Sequence, residues 1–488
     1  MKTKENTGPN GRNTHILLPN DHLERVPAWG GASSSISYVY RPATIEQLHN
    51  ILQLAQQSGR TIGLRGGGNS YGDAAMNSEN ILVDLRRMNR ILDWNPETGI
   101  ITVEPGVTIS QLWQYVLEDG WWPPVVTGTS ATTIGGCAGM NVHGKNAYQK
   151  GPIGNHILQF DLMLASGEII TCSREKNSDF FHAAIGGFGM LGIFTAITLK
   201  MTPVYSGLLD VYTEARPNLA AMFSYFEEHV DHSDYIVGWM DAFASGDSLG
   251  RGDVHRANYL QPGDDPEPAQ TMRLDNQHLP DTLFGIMPKS ILWIFMRPFM
   301  NNLGTRTINM AKYYAGKFGS GSYYRQPHAA FHFLLDYVPN WKRSYGKGGL
   351  IQYQPFIPKE TAQDAFAEIL RHCQMRGLPN YLTVFKRHRP DNFLLTHGLD
   401  GYSMAMDFRI TDRNRARVAK LTSELDEIVL AANGRFYFAK DSTLRPQVAR
   451  AYLGDEAITQ FRALRQQCDP EGLLQTNLWR RVFAPMGS

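Results

Sequence analysis

The sequence predicts an α+β fold divided into two domains, and three observations support this. The chain has 488 residues, 42% of them hydrophobic, and a chain of this length usually divides its core between domains. From about residue 36 to residue 203, short apolar strands alternate with glycine-rich loops and a few helices. The pattern changes over residues 206–260, where we expect a second domain to begin, and residues 349–430 again mix strands with amphipathic helices.

The first predicted element is a helix that begins at Thr44. Gln47 follows at the spacing of a capping box, and Gly59 stands where a helix-ending glycine is expected. A strand over residues 61–64 should then run directly into a glycine loop. Further strands are predicted over residues 81–85, 100–103, 161–164, 168–171 and 192–199.

Charge and cysteine content exclude several classes of protein. Lys and Arg total 47 against 46 Asp and Glu, so the net charge of +1 is too small to attract nucleic acid. The four cysteines form no CxxC pair, which argues against a disulfide framework or a zinc site and fits a reducing compartment. No run approaches the ~18 apolar residues of a membrane span, and the polar start MKTKENTGPNGRNTH is unlike a signal peptide. We therefore expect a cytoplasmic protein without a metal.

Three glycine loops are the strongest functional signal. They are RGGGNSYGD (65–73), GTSATTIGGCAGMNVHGKN (128–146) and GGFGMLG (186–192). Glycine lets backbone N–H groups approach an anion closely. The third loop contains GxGxxG, but a β-branched run follows it instead of the helix of a dinucleotide-binding unit. Each loop alone could be a tight turn, whereas all three together favour a phosphate-bearing ligand.

These loops and their flanks resemble the FAD-binding module of the vanillyl-alcohol oxidase and p-cresol methylhydroxylase (PCMH) superfamily. The resemblance extends over nearly the whole chain and is strongest to the decaprenylphosphoryl-β-D-ribose oxidase branch. The matching stretches include RPATIEQL (41–48), EPGVTISQL (104–112), HGKN (143–146), IQYQ (351–354), MDF (406–408) and FYFAKDS (436–442).

The resemblance implies three parts of the chain. Residues 1–205 would form a PCMH-type FAD-binding domain of two subdomains, and residues 206–429 an α+β substrate or cap domain. Residues 430–488 would return to the FAD domain.

The resemblance also implies FAD held without a covalent bond. Members of the superfamily often attach the flavin to a histidine in the first glycine loop, and Asn69 occupies that position here. The implied cofactor-binding residues are Leu64, Arg65, Gly66, Gly67, Gly68, Asn69, Ser70, Tyr71, Gly72, Asp73, Gly128, Thr133, Ile134, Gly135, Gly136, His143, Gly144, Lys145, Asn146, Ile193 and Tyr437.

Oxidation of an alcohol through a flavin sends a hydride to flavin N5 and a proton to a base. Lys440 matches the active-site lysine of the branch, and Lys145 and His143 are the other catalytic candidates. A lysine can act as the base only where burial or a neighbouring cation lowers its pKa. From the residues alone, Lys440 could equally pair with Asp441 at the surface, and His143 could be a structural loop residue.

Five residues are the substrate-binding candidates. Gln352 and Gln354 are two apart on a predicted strand and should point to one side. Lys386 could be a site residue or a strand-end lysine. Ser403 and Ala405 stand where the branch has asparagine and cysteine, so the substrate pocket differs and the substrate stays open.

The expected activity is oxidation of a CH–OH group of a sugar-like substrate, small or carried on a polyprenyl phosphate, to a ketone. In the resembling branch, a reductase partner completes an epimerisation. Alternatives are an alditol or aldonolactone oxidase, although their HWxK-type motif is absent from DPEGLLQTNLWRRV, and a flavin-dependent sterol reductase. A flavin carrier or sensor without turnover is the non-enzymatic alternative.

Two segments of the second domain allow further expectations. Residues 261–280 are rich in Pro, Asp and Gln and should be a loop or disordered. Residues 283–300, LFGIMPKSILWIFMRPFM, are either core or an exposed surface beside the active-site mouth that gives the protein a peripheral contact with a membrane.

Overall fold

The computed structural model describes residues 16–279, 281–283 and 287–487. Strands β1–β11 cover Leu23–Pro27, Ser34–Tyr40, Ile62–Arg65, Ile81–Asp84, Ile91–Asn95, Ile100–Val103, Trp121–Trp122, Ile157–Met163, Ile169–Ser173, Ile193–Lys200 and Thr202–Pro203. Strands β12–β22 cover Leu208–Arg216, Tyr235–Met240, Gly252–Tyr259, Thr282–Leu283, Met287–Pro288, Ser322–Pro327, Leu350–Tyr353, Pro355–Pro358, Leu382–His388, Gly401–Arg409 and Arg435–Phe436. Helices α1–α14 cover Ile45–Ser58, Ile109–Val116, Ile134–Gly139, Ala147–Lys150, Ser178–Ala184, Leu219–His229, Pro268–Thr271, Leu292–Met296, Asn302–Phe318, His328–His332, Lys359–Met375, Arg415–Ala431, Pro446–Leu453 and Asp455–Cys468.

The described part of the first 205 residues supplies two larger sheets, besides the short pair of β7 and β11. One has the order β1-β2-β4-β3, and the other is an antiparallel sheet of order β5-β6-β10-β8-β9. The predicted helix is α1, where the Thr44 side chain accepts from Gln47 N at 3.2 Å and Gly59 ends the helix in the left-handed region. The predicted strands are present at β3, β4, β6, β8, β9 and β10, with β8 beginning four residues early at Ile157.

The second part of the chain is built on one large sheet. Its order is β17-β12-β14-β13-β20-β21-β19-β22, and β18 also pairs with β21. Side chains alternate across β20, so Phe385 packs on Phe226 and Phe366 from the helices behind the sheet, whereas Leu382, Val384 and Lys386 face a cavity. This alternation gives the sheet one core face and one cavity face.

The C-terminal segment packs against the first part of the chain. Ile62 N donates to Leu473 O at 2.7 Å, and Gln475 N donates to Ile62 O at 2.8 Å. Further along, Arg481 donates to Asp73 in the first glycine loop and to Asp441 beside Lys440. The segment therefore joins the first glycine loop to the residues around Lys440.

The stretch 261–280 is more ordered than its composition predicts. It contains α7 and a short 3₁₀ turn at Leu274–Gln277. The buried Gln277 amide donates to Gly207 O at 2.8 Å, and buried Asp265 accepts from Ser206 and Thr271. Of the two expected states, a loop or disorder, disorder was wrong because the polar side chains of this stretch bond both to its own turns and to Ser206 and Gly207 beside it; Pro280 lies outside the described residues.

Apart from Lys289 and Met300, residues 287–300 are exposed or half-buried, so the core interpretation was wrong for this part of the segment. Ile294, Phe295 and Phe299 are each about half exposed. Lys289 is an exception, since it is buried with its Nζ 3.3 Å from the centre of the Tyr337 ring. The side chain of Leu283 and residues 284–286 lie outside the described residues. In the described part of the chain, no helix is both long and apolar enough to cross a bilayer.

Candidate active site

A cavity of about 570 Å³ lies between the glycine loops and the large sheet. This volume falls within the range of cofactor and small-molecule sites. One wall is formed by the glycine loops and Tyr437, and the opposite wall by alternate residues of β13, β14, β17, β18, β20 and β21. The cavity therefore opens between the two large parts of the fold.

The first two glycine loops pack directly on each other. A Cβ on Gly66 would lie 2.1 Å from Thr133 Oγ1, and a Cβ on Gly67 would lie 2.5 Å from Ala131 O. Gly67 N donates to Thr133 Oγ1 at 3.2 Å, and Asn69 Nδ2 donates to Ala131 O at 3.2 Å. Because no side chain fits between the loops, their backbones form one continuous wall.

Most of the predicted cofactor residues line the cavity. They are Leu64, Arg65, Gly66, Gly67, Gly68, Asn69, Ser70, Tyr71, Gly128, Thr133, Gly135, Gly136, His143, Lys145 and Tyr437.

Six predicted cofactor residues do not line the cavity and support its wall instead. Ile134 and Ile193 are buried in the core. Gly72 packs against the backbone of Asp441, and Asp73 pairs with Arg481. Asn146 donates to Pro124 O at 2.8 Å, and Gly144 packs beside the Asn146 side chain.

Lys440 lines the cavity on the side that the large sheet forms. Its Nζ is 3.9 Å from the centre of the Tyr71 ring. Burial lowers the pKa of Lys440, with nearby Asp407 opposing this shift and Lys386 adding to it. An amine with a lowered pKa is neutral in a larger fraction of the molecules near pH 7. Lys440 can therefore accept a proton at that pH.

Asp407 lies directly behind the cavity wall and is fully buried. Gln352 Nε2 donates to Asp407 Oδ1 at 2.5 Å and to the Tyr71 hydroxyl at 3.3 Å. Burial raises the pKa of Asp407, against the opposing effects of Gln352 and Lys440. Asp407 thus fixes the orientation of Gln352, which lines the cavity as predicted.

Two more lysines line the cavity. Burial, with Lys386 nearby, lowers the pKa of Lys145 to about 7, and burial lowers the pKa of Lys386 to about 8. Lys145 Nζ donates to the backbone oxygen of Phe331. Because this donation requires only one of its protons, Lys145 keeps others free for a ligand.

The cavity wall is strongly basic. Arg65, Lys145, Lys312, Lys386 and Lys440 line it, and no Asp or Glu does so among the described residues. Burial, together with Lys312 and Lys145, lowers the pKa of His255 to about 4. Lys312 and Lys145 therefore lie near each other, around His255. The site can therefore hold more than one anionic group.

His143 belongs to a buried cluster of rings. Its ring centre lies 4.8 Å from that of His388 and 5.3 Å from that of Tyr437. Burial, with neighbouring cations, holds the pKa of His143 well below its usual range. The Gln354 amide donates to His143 Nε2 at 3.2 Å, which favours a neutral, positioned ring over a base.

The other substrate candidates divide between the wall and the layer behind it. Gln354, Lys386 and Ala405 line the cavity. Ser403 is fully buried, its hydroxyl 3.1 Å from Gln354 Nε2 and 2.7 Å from His388 Nε2. Ser403 therefore acts on the cavity through Gln354 and through His388, whose ring packs on His143.

Several lining residues were missed by the sequence analysis. Val237 and Trp239 of β13 alternate towards the cavity, a pattern readable in the sequence once the strand is known. The remaining missed residues depend on long-range strand pairing or on helices α9 and α10, which no local pattern specifies; they include His255, Lys312, Tyr324, Gln326, Phe331 and His332.

Comparison with known proteins gives matches to flavin-dependent oxidases. The FAD binding domain family matches residues 36–173. Decaprenylphosphoryl-β-D-ribose oxidase of Mycolicibacterium smegmatis is 30% identical over 470 residues, which cover 94% of this chain and 97% of that protein. D-arabinono-1,4-lactone oxidase of Yarrowia lipolytica is 33% identical over 36% of this chain and 34% of its own length. Mouse L-gulonolactone oxidase is 28% identical over 40% of this chain and 44% of its own length.

Proposed function

The chain belongs to the FAD-dependent oxidoreductase family of decaprenylphosphoryl-β-D-ribose oxidase, and from this premise we propose that it oxidises a CH–OH group of a polyprenyl-phosphate-linked sugar to a ketone. The predicted family, the α+β fold class and FAD as the cofactor are confirmed. The assignment of a polyprenyl-phosphate-linked sugar is supported by the similarity to decaprenylphosphoryl-β-D-ribose oxidase, which extends over nearly the whole of both chains. The lactone oxidases, by contrast, match over less than half of this chain.

The cavity fits FAD. The backbones of Gly66 and Gly67 line the cavity, where a pyrophosphate can approach the chain closely, and Arg65 adds a positive charge. Tyr437 offers a flat ring on the same wall. When bound, FAD supplies an acceptor for the hydride that leaves the substrate carbon.

The basic wall is the observation that carries the substrate assignment. Arg65 belongs to the first glycine loop, but Lys312, Lys386 and the nearby His255 belong to the large-sheet side. A phosphate on the substrate would give Lys312 and Lys386 an anionic partner that a neutral aldonolactone or alditol lacks. This charge pattern favours the phosphorylated sugar over those alternatives.

The side chains around Lys440 have separate roles in this proposal. Neutral Lys440 accepts the proton of the reacting hydroxyl. Gln352, oriented by Asp407, holds a neighbouring hydroxyl of the sugar. Apolar wall residues such as Val384 and Leu335 exclude water from the reacting carbon.

Paired substrates test the assignment. The holoenzyme should show a KM at least about tenfold lower for a phosphorylated short-chain sugar than for the same sugar without phosphate, because each charge-assisted hydrogen bond contributes roughly 1.5–3 kcal/mol. Equal KM values for the two, or turnover of an aldonolactone alone, would reject a phosphate-bearing substrate.

We also propose that FAD is held without a covalent bond. Asn69 donates to Ala131 O and has no nucleophilic atom with which to attach the flavin. Acid precipitation of the purified protein should leave intact FAD in the supernatant and a colourless pellet. Flavin that stays in the pellet would show that another residue forms the link.

Two partners complete the proposal. A reductase that converts the ketone product is supported by the chemistry of the product, since a ketone retained on the sugar is a substrate for reduction. A peripheral contact with a membrane is supported by the half-exposed Ile294, Phe295 and Phe299. The cytoplasmic location remains a prediction.

A further inference from the structure

Two side chains near the C-terminus contact the chain on either side of Lys440. Before Lys440, the ring of Phe438 packs on that of Phe483, with the ring centres 5.4 Å apart. Directly after Lys440, Asp441 Oδ2 accepts a hydrogen bond from Arg481 Nη2 at 2.7 Å. The segment that carries the Lys440 amine is therefore held at both ends by the same part of the chain.

The C-terminal turn Trp479–Phe483 is a firm base for these contacts. Trp479 and Phe483 are both buried, and their rings stack with centres 5.4 Å apart. Phe483 also packs on Phe188 of the third glycine loop, with ring centres 5.1 Å apart. Because close-packed cores allow little movement, a side chain that projects from this turn starts from a fixed backbone. Arg481 is such a side chain.

Arg481 joins two carboxylates that belong to different segments. Its Nε donates to Asp73 Oδ2 at 2.8 Å and its Nη2 to Asp73 Oδ1 at 2.7 Å, a bidentate contact with the first glycine loop. Its Nη2 also donates to Asp441, and its Nη1 donates to Leu444 O at 2.6 Å. The planar guanidinium suits this arrangement, because its N–H groups point in fixed directions, whereas a lysine offers a single point charge.

The Asp441 carboxylate is bonded through both of its oxygens. Its Oδ1 accepts from Thr443 N at 2.8 Å and from Leu444 N at 2.7 Å, while Oδ2 accepts from Arg481. The side chain of Asp441 is only 7% exposed, so water screens these bonds weakly. The turn that follows Lys440 is therefore fixed through the carboxylate of the neighbouring residue.

The first glycine loop also contacts this segment through its backbone. Tyr71 N donates to Ala439 O at 2.9 Å, and the backbone oxygen of Asp441 leaves no room for a Cβ at Gly72. These contacts place the Tyr71 ring beneath the Lys440 amine. The loop and the lysine segment therefore meet in one register, and the link through Arg481 lies beside it.

We propose that Arg481 is a positioning residue, which holds the Lys440 amine in the cavity by linking Asp441 to Asp73 of the first glycine loop. Through this link, the loop that lines the cofactor wall and the segment that carries the proton acceptor move as one unit. The inference deepens the proposed function and rests on it for the role of Lys440 as a proton acceptor. The position of the amine itself can be tested without a substrate.

The pKa of Lys440 reports its position. The groups that face Lys440 from the surrounding elements are Asp407 of β21, Lys386 of β20, and Tyr71 and His143 of the glycine loops. Burial is the largest cause of the lowered pKa of Lys440. If the segment is released and the amine reaches water, this pKa should rise towards the ordinary value for lysine.

Acetylation of Lys440 by acetic anhydride across a range of pH tests the inference. Only the neutral amine reacts, so peptide mass spectrometry of the FAD-loaded enzyme gives the pH midpoint of Lys440. Arg481→Ala should raise this midpoint by at least about one pH unit, because the released amine gains water. Asp441→Asn should raise it as well, since it breaks the same link although it removes a charge of the opposite sign.

Arg480→Ala is the matched control. Arg480 belongs to the same turn, but it donates to Asn77 and Asn477 at 2.7 Å each and has no bond to the lysine segment. Among the hydrogen bonds of the described residues, none joins Arg480 to Asp441. The control variant can lose stability, which thermal unfolding measures, but its midpoint for Lys440 should equal that of the wild type.

Three results would overturn the inference. Shifts of opposite sign in Arg481→Ala and Asp441→Asn would show that only the charge near Lys440 matters. Unchanged midpoints in both would show that packing alone holds the segment, and an equal rise in Arg480→Ala would show general loosening. If Arg481→Ala does not fold or retain FAD, Asp441→Asn decides. Flavin reduction by the polyprenyl-phosphate sugar is measured in parallel: wild type that is not reduced rejects the proposed function, whereas the labelling result still decides the positioning.

Discussion

Replacement of Lys440 by alanine is expected to lower the rate of flavin reduction by about 10²–10⁴-fold while FAD stays bound. The half-buried Lys440 places its amine over the Tyr71 ring, whereas Gly66 and Gly67 pack against Thr133 and Ala131 of the second glycine loop. The variant therefore loses the proton acceptor but keeps the cofactor wall. Rapid mixing with substrate under anaerobic conditions measures the rate, and absorbance measures the FAD content.

The pH dependence separates a base from a merely structural lysine. Because burial lowers the pKa of Lys440, its neutral form increases as pH rises through the shifted pKa. Wild-type flavin reduction should therefore rise with pH and then level off, and Lys440→Ala should lose this rise. The exposed Lys420→Ala variant is the control and should match wild type. A Lys440→Ala enzyme with a near-normal rate and pH profile would remove Lys440 from the mechanism.

Replacement of Gly135 by valine is expected to reduce bound FAD at least tenfold. A Cβ at Gly135 would lie 2.6 Å from Pro105 Cβ and 3.0 Å from Pro105 O, and both residues line the cavity. Valine would therefore push the second glycine loop away from the Pro105 segment. Overpacking of this kind costs about 1–3 kcal/mol and shifts backbone, which deforms the wall that FAD needs.

Gly139→Ala is the matched control for this variant. Gly139 lines the same cavity, but the nearest atom to its added Cβ is Phe188 Cα at 4.0 Å. The Gly139→Ala variant should retain FAD and unfold at the same temperature as the wild type. Circular dichroism checks that Gly135→Val is folded; a folded Gly135→Val protein with full FAD content would show that this wall does not hold the cofactor.

Much of the cofactor side of the site could be predicted from the sequence. Glycines that allow close backbone packing, such as Gly66 and Gly67, leave a local signal, and the motif around Lys440 identifies the family. Gly72 and Asp73 share those motifs, yet they contact Asp441 and Arg481 instead of the cavity. A motif shows which residues are needed but does not separate those that line a site from those that support it.

The sheet side of the site could not be predicted in the same way. His255 and Lys386 line the same cavity because β14 pairs with β13 and β13 pairs with β20. Strands β14 and β20 are more than 100 residues apart in the sequence. Such pairing depends on the packing of the whole sheet and leaves no local pattern.

Anaerobic mixing of the holoenzyme with a polyprenyl-phosphate sugar tests the central claim most directly. If the chain oxidises a CH–OH group of this substrate through FAD, the yellow flavin absorbance is lost in one turnover and the sugar carries a ketone. The same sugar without phosphate and an aldonolactone, mixed at equal concentration, should bleach the flavin much more slowly. Flavin that stays oxidised with the polyprenyl-phosphate sugar, or that bleaches faster with the neutral lactone, would contradict the assignment.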